Sequence, residues 1–228
     1  MNRSTLKIWQ QNTNKSLLAQ LDLLNLLRKD KYDICALQEP HIDFKGKTWA
    51  NYNWTVIYPT THNKSPEKTQ SAILVNSHLT SDLWCEIAMD YPDLTGVQIQ
   101  GYFSTIRIIN IYNDCKHNGS LEHLTAFLCH PPPAETKRPI YTVWVGDFNQ
   151  HYPIWDKARN AHLFTRGNLE LTQPLLNRLA HYDMKMALPP YTATLCAHNS
   201  GNYTRVDNVF CTASLLDLVV KCDTDDAT

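Results

Sequence analysis

Five side chains that could do chemistry stand where strand-forming runs of this chain stop: Asn12, Glu39, Tyr112, Asp147 and Asn149. A carboxylate at a strand end can hold a hard cation or take a proton. A carboxamide can orient a nucleophile or a phosphate oxygen without adding charge, and a phenol can donate to the same oxygen. The densest cluster is Gly146-Asp147-Phe148-Asn149, directly after the β-branched and aromatic run Ile140 to Val145. Taken alone, that tetrapeptide is equally an Asx turn. Five strand ends of one kind, in order along the chain, make a stronger signal. A sixth candidate, Asp207, lies inside a later apolar run.

Positioning these groups requires a sheet with its strand tips on one rim. Leu6 to Asn12 reads as a strand, Ser16 to Arg28 as a helix with Leu17, Leu18, Leu21, Leu24 and Leu27 on its core face, and Tyr32 to Pro40 as a second strand with Glu39 at its end. Strand, helix, strand predicts a right-handed βαβ unit, with Asn12 and Glu39 at neighbouring tips. Runs at 54–58, 71–75, 83–88, 94–100 and 104–112 predict a strand-rich middle, and Pro59 to Gln70 a basic, mobile loop that contains His62 and Thr69. Helices are expected over 121–128 and 169–182, and one strand over 202–211. No repeat and no long linker divides the chain, so 1–228 is read as one domain.

The chain has 228 residues, 43% of them hydrophobic, and a formal charge of −1. That balance excludes a global basic field, so contact with nucleic acid must be local and groove-like. Seven cysteines are scattered without a Cys-x-x-Cys pair or zinc spacing, which predicts reduced thiols. No apolar run approaches the roughly 20 residues of a membrane span, and the N-terminus lacks a signal-peptide core. The expectation is a soluble nuclear or cytoplasmic protein with no membrane partner.

The pieces Gln11-Asn12, Leu37-Gln38-Glu39, Ile111-Tyr112-Asn113, Gly146-Asp147-Phe148-Asn149 and Arg205-Val206-Asp207 together resemble the endonuclease/exonuclease/phosphatase superfamily. Within it, Gln150-His151-Tyr152-Pro153-Ile154-Trp155 and Tyr203 to Phe210 resemble the apurinic-type endonuclease domain of non-LTR (LINE-like) retrotransposons, with a fungal source expected. The resemblance implies a DNase I-like α/β fold: a four-layered sandwich of two facing mixed sheets flanked by helices. It implies metal-dependent phosphodiester hydrolysis, most simply the nicking of DNA, with a reverse transcriptase following in the parent gene. Glu39 would bind Mg²⁺ (or Mn²⁺) with Asn12 beside it. Asp147 would position or deprotonate the attacking water, Asn149 would orient water and phosphate, and Tyr112 would donate to a non-bridging oxygen. Asp207 would orient a catalytic histidine. His151, Trp155 and Thr204 are expected to face substrate.

One motif departs from the pattern. The superfamily's last motif is Ser/Thr-Asp-His, and no Asp-His dipeptide occurs in this sequence. The expectation is a domain cut short at its C-terminus, with the last strand missing and the activity in question. Two other readings therefore stand beside DNA nicking: a phosphatase or lipid phosphodiesterase of the same superfamily, and an inactive fragment.

Overall fold

The computed structural model describes residues 5–27, 31–131, 138–196 and 201–225. In chain order the elements are β1 (Ile8–Asn12), α1 (Leu17–Leu26), β2 (Ile34–Gln38), β3 (Trp54–Ile57), β4 (Ser71–Asn76), β5 (Trp84–Ile87), β6 (Leu94–Gln100), β7 (Thr105–Tyr112), α2 (Gly119–Cys129), β8 (Ile140–Asp147), α3 (Arg166–His181), β9 (Met184–Met186), the short hairpin β10 (Leu195–Cys196) and β11 (Tyr203–Thr204), β12 (Asp207–Thr212) and α4 (Ala213–Leu216). A four-stranded sheet has the order β1-β2-β4-β3, and a six-stranded sheet the order β5-β6-β7-β8-β12-β9. Both are mixed: β1/β2 and β7/β8 are parallel, and the other neighbours are antiparallel. The expected βαβ unit is present.

Period-two alternation sorts the strand residues into layers. Ile34, Ala36, Ile73 and Val75 of the first sheet pack against Val97, Ile108, Val143, Val145 and Cys211 of the second. Their alternates, Cys35, Leu37 and Leu74, face Leu23, Leu24 and Leu27 at α1. Ile109, Ile111, Trp144 and Phe210 face Leu121 and Leu124 of α2 and Leu175 of α3. The result is helix, sheet, sheet, helix, the four-layered sandwich expected. Each fully buried Ile or Leu contributes about 1.5–3 kcal/mol of transfer free energy, so the three apolar layers dominate stability.

Local details differ from the expectation where polar groups are buried. Leu18 is exposed, and the buried face of α1 runs Gln20, Leu23, Leu24. Gln20 turns the helix because its amide donates to Thr48 Oγ1 (2.7 Å) and Trp49 O (2.6 Å), while its carbonyl accepts from His41 N (3.0 Å). The expected strand over 202–211 breaks at Arg205, whose buried guanidinium donates to Asn208 Oδ1, Leu188 O and Pro189 O. Asp207 therefore opens β12 instead of lying within a strand. The stretch expected to be a mobile loop, Pro59 to Gln70, is two 3-10 turns that bury His62 and Thr69.

Candidate active site

The inner faces of the sandwich change character along the strands. Ile8, Gln10 and Asn12 alternate inward on β1, and their register partners on β2 are Ile34, Ala36 and Gln38. On the opposite sheet, Tyr112 of β7 sits level with Asp147 of β8, which sits level with Asp207 of β12. Paired residues on adjacent strands point to the same side of a sheet. Three polar side chains of the large sheet thus meet Asn12 and Glu39 of the small one at a single rim.

Asn12 spans the gap. Its Nδ2 donates to Asp147 Oδ2 (2.9 Å) and to Glu39 Oε1 (3.2 Å), so carboxylates from both sheets converge on one amide. Asn12 Oδ1 accepts from Asn14 N (2.8 Å), which fixes the amide's orientation. Tyr112 donates its hydroxyl to Glu39, and the phenol is held above its ordinary pKa by burial, then by the Glu39 charge. Asp147 accepts from Asn149 N (3.0 Å), yet burial pushes its carboxyl up and Glu39 adds to the shift. Asn149 is itself tied down: its Nδ2 donates to Asn113 O (2.9 Å), and buried Asn113 donates to Phe148 O (3.1 Å) and accepts from Ser120 Oγ (2.6 Å).

The backbone is strained at the same residues. Glu39 has φ 46° and Asn149 has φ 50°, a left-handed region that costs a non-glycine residue on the order of 1 kcal/mol. Gly146 has φ 149°, and a Cβ there would lie 1.9 Å from Ile111 O. That contact explains the glycine before Asp147: β7 and β8 approach too closely for any side chain.

Below the rim lies a layer of neutral amides that the sequence reading did not single out. Gln10 Nε2 donates to Asp207 Oδ1 (2.8 Å) and Gln38 Oε1 (2.6 Å). Gln38 donates to Asn110 Oδ1, and Asn110 donates to Leu37 O (2.7 Å) and Ala72 O (2.9 Å). The available signal was alternation: Gln10, Gln38 and Asn110 each continue an inward-facing row of apolar residues. Asp207 is raised by burial and by the neighbouring Asp147 charge, against hydrogen bonds from Thr194 and Gln10.

The structure therefore brings Asn12, Glu39, Tyr112, Asp147, Asn149 and Asp207 together. It does not bring the expected substrate contacts with them. Trp155 is 3% exposed and packs against Tyr152 and Phe210, because an indole gains more from the core than from a wet cleft. Thr204 is also buried, in the β10/β11 hairpin. His151 lies 3.4 Å from buried Asp156, not against a rim carboxylate, and burial holds its imidazole below the usual pKa. A cleft of about 350 Å³ flanks Tyr112, lined among others by Lys68, Asp93, Asp114 and His117.

Among the described residues, the carboxylates that converge on Asn12 Nδ2 offer anionic oxygens, with neither thiolate nor imidazole. Such a set suits a hard divalent cation that keeps several waters and takes one or two protein carboxylates. Glu39, with Asn12 beside it, is the group placed to hold one, and Asp147 faces it from the other sheet.

A family model described as the endonuclease/exonuclease/phosphatase family matches residues 9–227. The chain belongs to this family. Three solved structures show the family's fold around it. The endonuclease domain of TRAS1, a telomere-specific non-LTR retrotransposon, is 21% identical, with 98% of this chain and 92% of that one covered and a TM-score of 0.70. The AP endonuclease LMAP from Leishmania major is 11% identical, covers 96% and 82%, and has a TM-score of 0.69. A Neisseria 3′ phosphatase, NExo, bound to product DNA hairpin, is 16% identical, covers 93% and 89%, and has a TM-score of 0.65. No curated protein matches the chain in sequence. Among the described residues, no helix of this family member is long and apolar enough to cross a membrane.

Proposed function

We propose that this protein hydrolyses phosphodiesters in DNA, nicking one strand as the endonuclease domain of a non-LTR retrotransposon does, with Mg²⁺ as its cation. The observation that carries the reading is Asn12 bridging Glu39 and Asp147 across the two sheets, with Tyr112 and Asn149 on the same rim. Membership of the family and the likeness to DNA-acting neighbours support it.

Each group has a task that its surroundings suit. Glu39 and Asn12 would hold the cation, which when bound supplies positive charge to the phosphate and the leaving oxygen. Asp147, its proton affinity raised by burial, is suited to accept the proton of the attacking water. Asn149, clamped by Asn113, fixes where that water and the phosphate sit. Tyr112 remains protonated and donates to a non-bridging oxygen. Asp207, held by Gln10 and Thr194, buttresses Asp147 from the next strand.

Supercoiled plasmid incubated with the protein and Mg²⁺ tests this. Open circles should form, and Glu39→Ala should slow their formation by about three orders of magnitude. Phosphate release from small monoesters with intact plasmid would assign the site to a phosphatase instead. Neither activity, under conditions where the protein is folded, would leave an inactive fragment.

A further inference from the structure

The chain leaves the rim at Glu39 and within five residues reaches Phe44, whose side chain is 94% exposed. Exposure here is not looseness. Asp43 Oδ1 accepts from Lys45 N (2.8 Å) and Lys47 N (2.9 Å), and backbone bonds join Asp43 N to Lys47 O and Gly46 N to Asp43 O. The turn is then fastened to the protein at Gly46, whose carbonyl accepts from Nε2 of buried His62 (2.8 Å). His62 Nδ1 meets Thr69 Oγ1 (2.7 Å), and its ring stacks on Tyr58 at 3.7 Å. Gly46 has φ +72°, and a Cβ there would meet Pro66 at 2.9 Å. Gln20 completes the support by accepting from His41 N and donating to Thr48 Oγ1.

Gln20, Tyr58, His62, Pro66 and Thr69 thus hold in place a turn that presents an apolar ring to water. Phe44 is 94% exposed, so its ring adds almost nothing to the core, and what sets it apart from other exposed rings is the fastened, lysine-flanked turn that carries it. Its neighbours give the occupant's charge. Lys45 Nζ lies 5.5 Å from the Phe44 ring centroid, Lys47 of the same turn is exposed, and His41 Nδ1 lies 3.2 Å from Lys15 O. The turn's acid, Asp43, is taken up by the backbone N–H groups, which hold its carboxyl below the usual range. A flat apolar face flanked by ammonium groups matches a nucleobase flanked by phosphates.

We propose that Phe44 is a stacking platform for a nucleobase flanking the scissile phosphodiester, with Lys45 and Lys47 anchoring the adjoining phosphates. The proposal rests on the DNA-nicking reading and names where the DNA is gripped. Ground-state stacking of this kind strengthens binding and leaves chemistry alone.

The test is steady-state nicking of a defined duplex by wild type, Phe44→Ala, Phe44→Trp, Lys45→Ala and Gly46→Ala. Phe44→Ala should raise KM about 5- to 100-fold, the range for loss of one stacked base, with kcat within about twofold. Phe44→Trp should restore KM. Lys45→Ala should reduce the salt slope of log KM by about one. Gly46→Ala, which misplaces the ring without removing it, should also raise KM. If wild type nicks DNA while Phe44→Ala keeps a wild-type KM, or loses kcat instead, the platform is overturned and the nuclease reading stands. If wild type nicks no DNA, the nuclease reading fails and takes the platform with it.

Discussion

The rim and the layer directly beneath it are built from similar side chains to opposite ends. At the rim, Glu39 and Asp147 share one amide donor, the backbone is strained at Glu39 and Asn149, and burial together with the Glu39 charge raises the Asp147 carboxyl. One step down, Gln10, Gln38 and Asn110 form a chain of neutral amides in which each donor finds an acceptor. A buried charge needs a partner, whereas a paired amide does not. The lower layer fixes the distance between the sheets at little electrostatic cost, and the upper layer holds charges whose repulsion a cation would relieve. Function and stability are therefore separated by one turn of the pleat.

The comparison can be broken at either level. Asp147→Ala should have the largest effect: nicking falls by about three orders of magnitude, while chemical denaturation shows no loss of stability, because the folded state disfavours the charged form. Asn110→Ala should do the reverse. Removing it strands Gln38 and two backbone carbonyls, so unfolding should become easier by about 2–3 kcal/mol, with kcat of the folded fraction changed far less.

Asp93, beside the rim in the cleft next to Tyr112, gives an intermediate case that pH can read. Burial pushes its carboxyl up to about 6 from an ordinary 3.8. Charge is disfavoured in the folded state, so this group's contribution is most favourable below about 4 and is lost as pH rises to about 6. Asp93→Asn should stabilise the protein at pH 7 by about 2 kcal/mol and flatten the stability profile across that window. The smallest effect belongs to Gln10→Leu. It removes a neutral donor from Asp207, so stability should fall by about 1 kcal/mol and nicking by about tenfold, with Gln10→Asn restoring part of the rate.

What the sequence disclosed follows the same division. Strand tips were legible because Asn12, Glu39, Tyr112, Asp147 and Asn149 each interrupt a strongly β-forming run, and such interruptions are local. Parallel β1 and β2 were legible from a helix between two short apolar runs. The amide layer was not, since Gln10, Gln38 and Asn110 become a unit through contacts between positions 28 to 197 apart in the chain. Trp155 and Thr204 misled for a related reason. Nearness to a functional motif in sequence says nothing about which way a side chain turns, and Trp155 turns into the core beside Phe210. His62 was hidden in a polar segment whose composition suits a solvated loop, and its burial depends on Gly46, Tyr58 and Thr69 together.

Catalysis at this rim requires Glu39 to hold a cation beside Asn12, and thermal unfolding across a Mg²⁺ titration tests that most directly. Wild type should gain several degrees as Mg²⁺ rises, following mass action on a single site. Glu39→Gln should gain little. Equal gains in the two proteins would show that the cation binds elsewhere, and the rim would lose its claim to be the catalytic site.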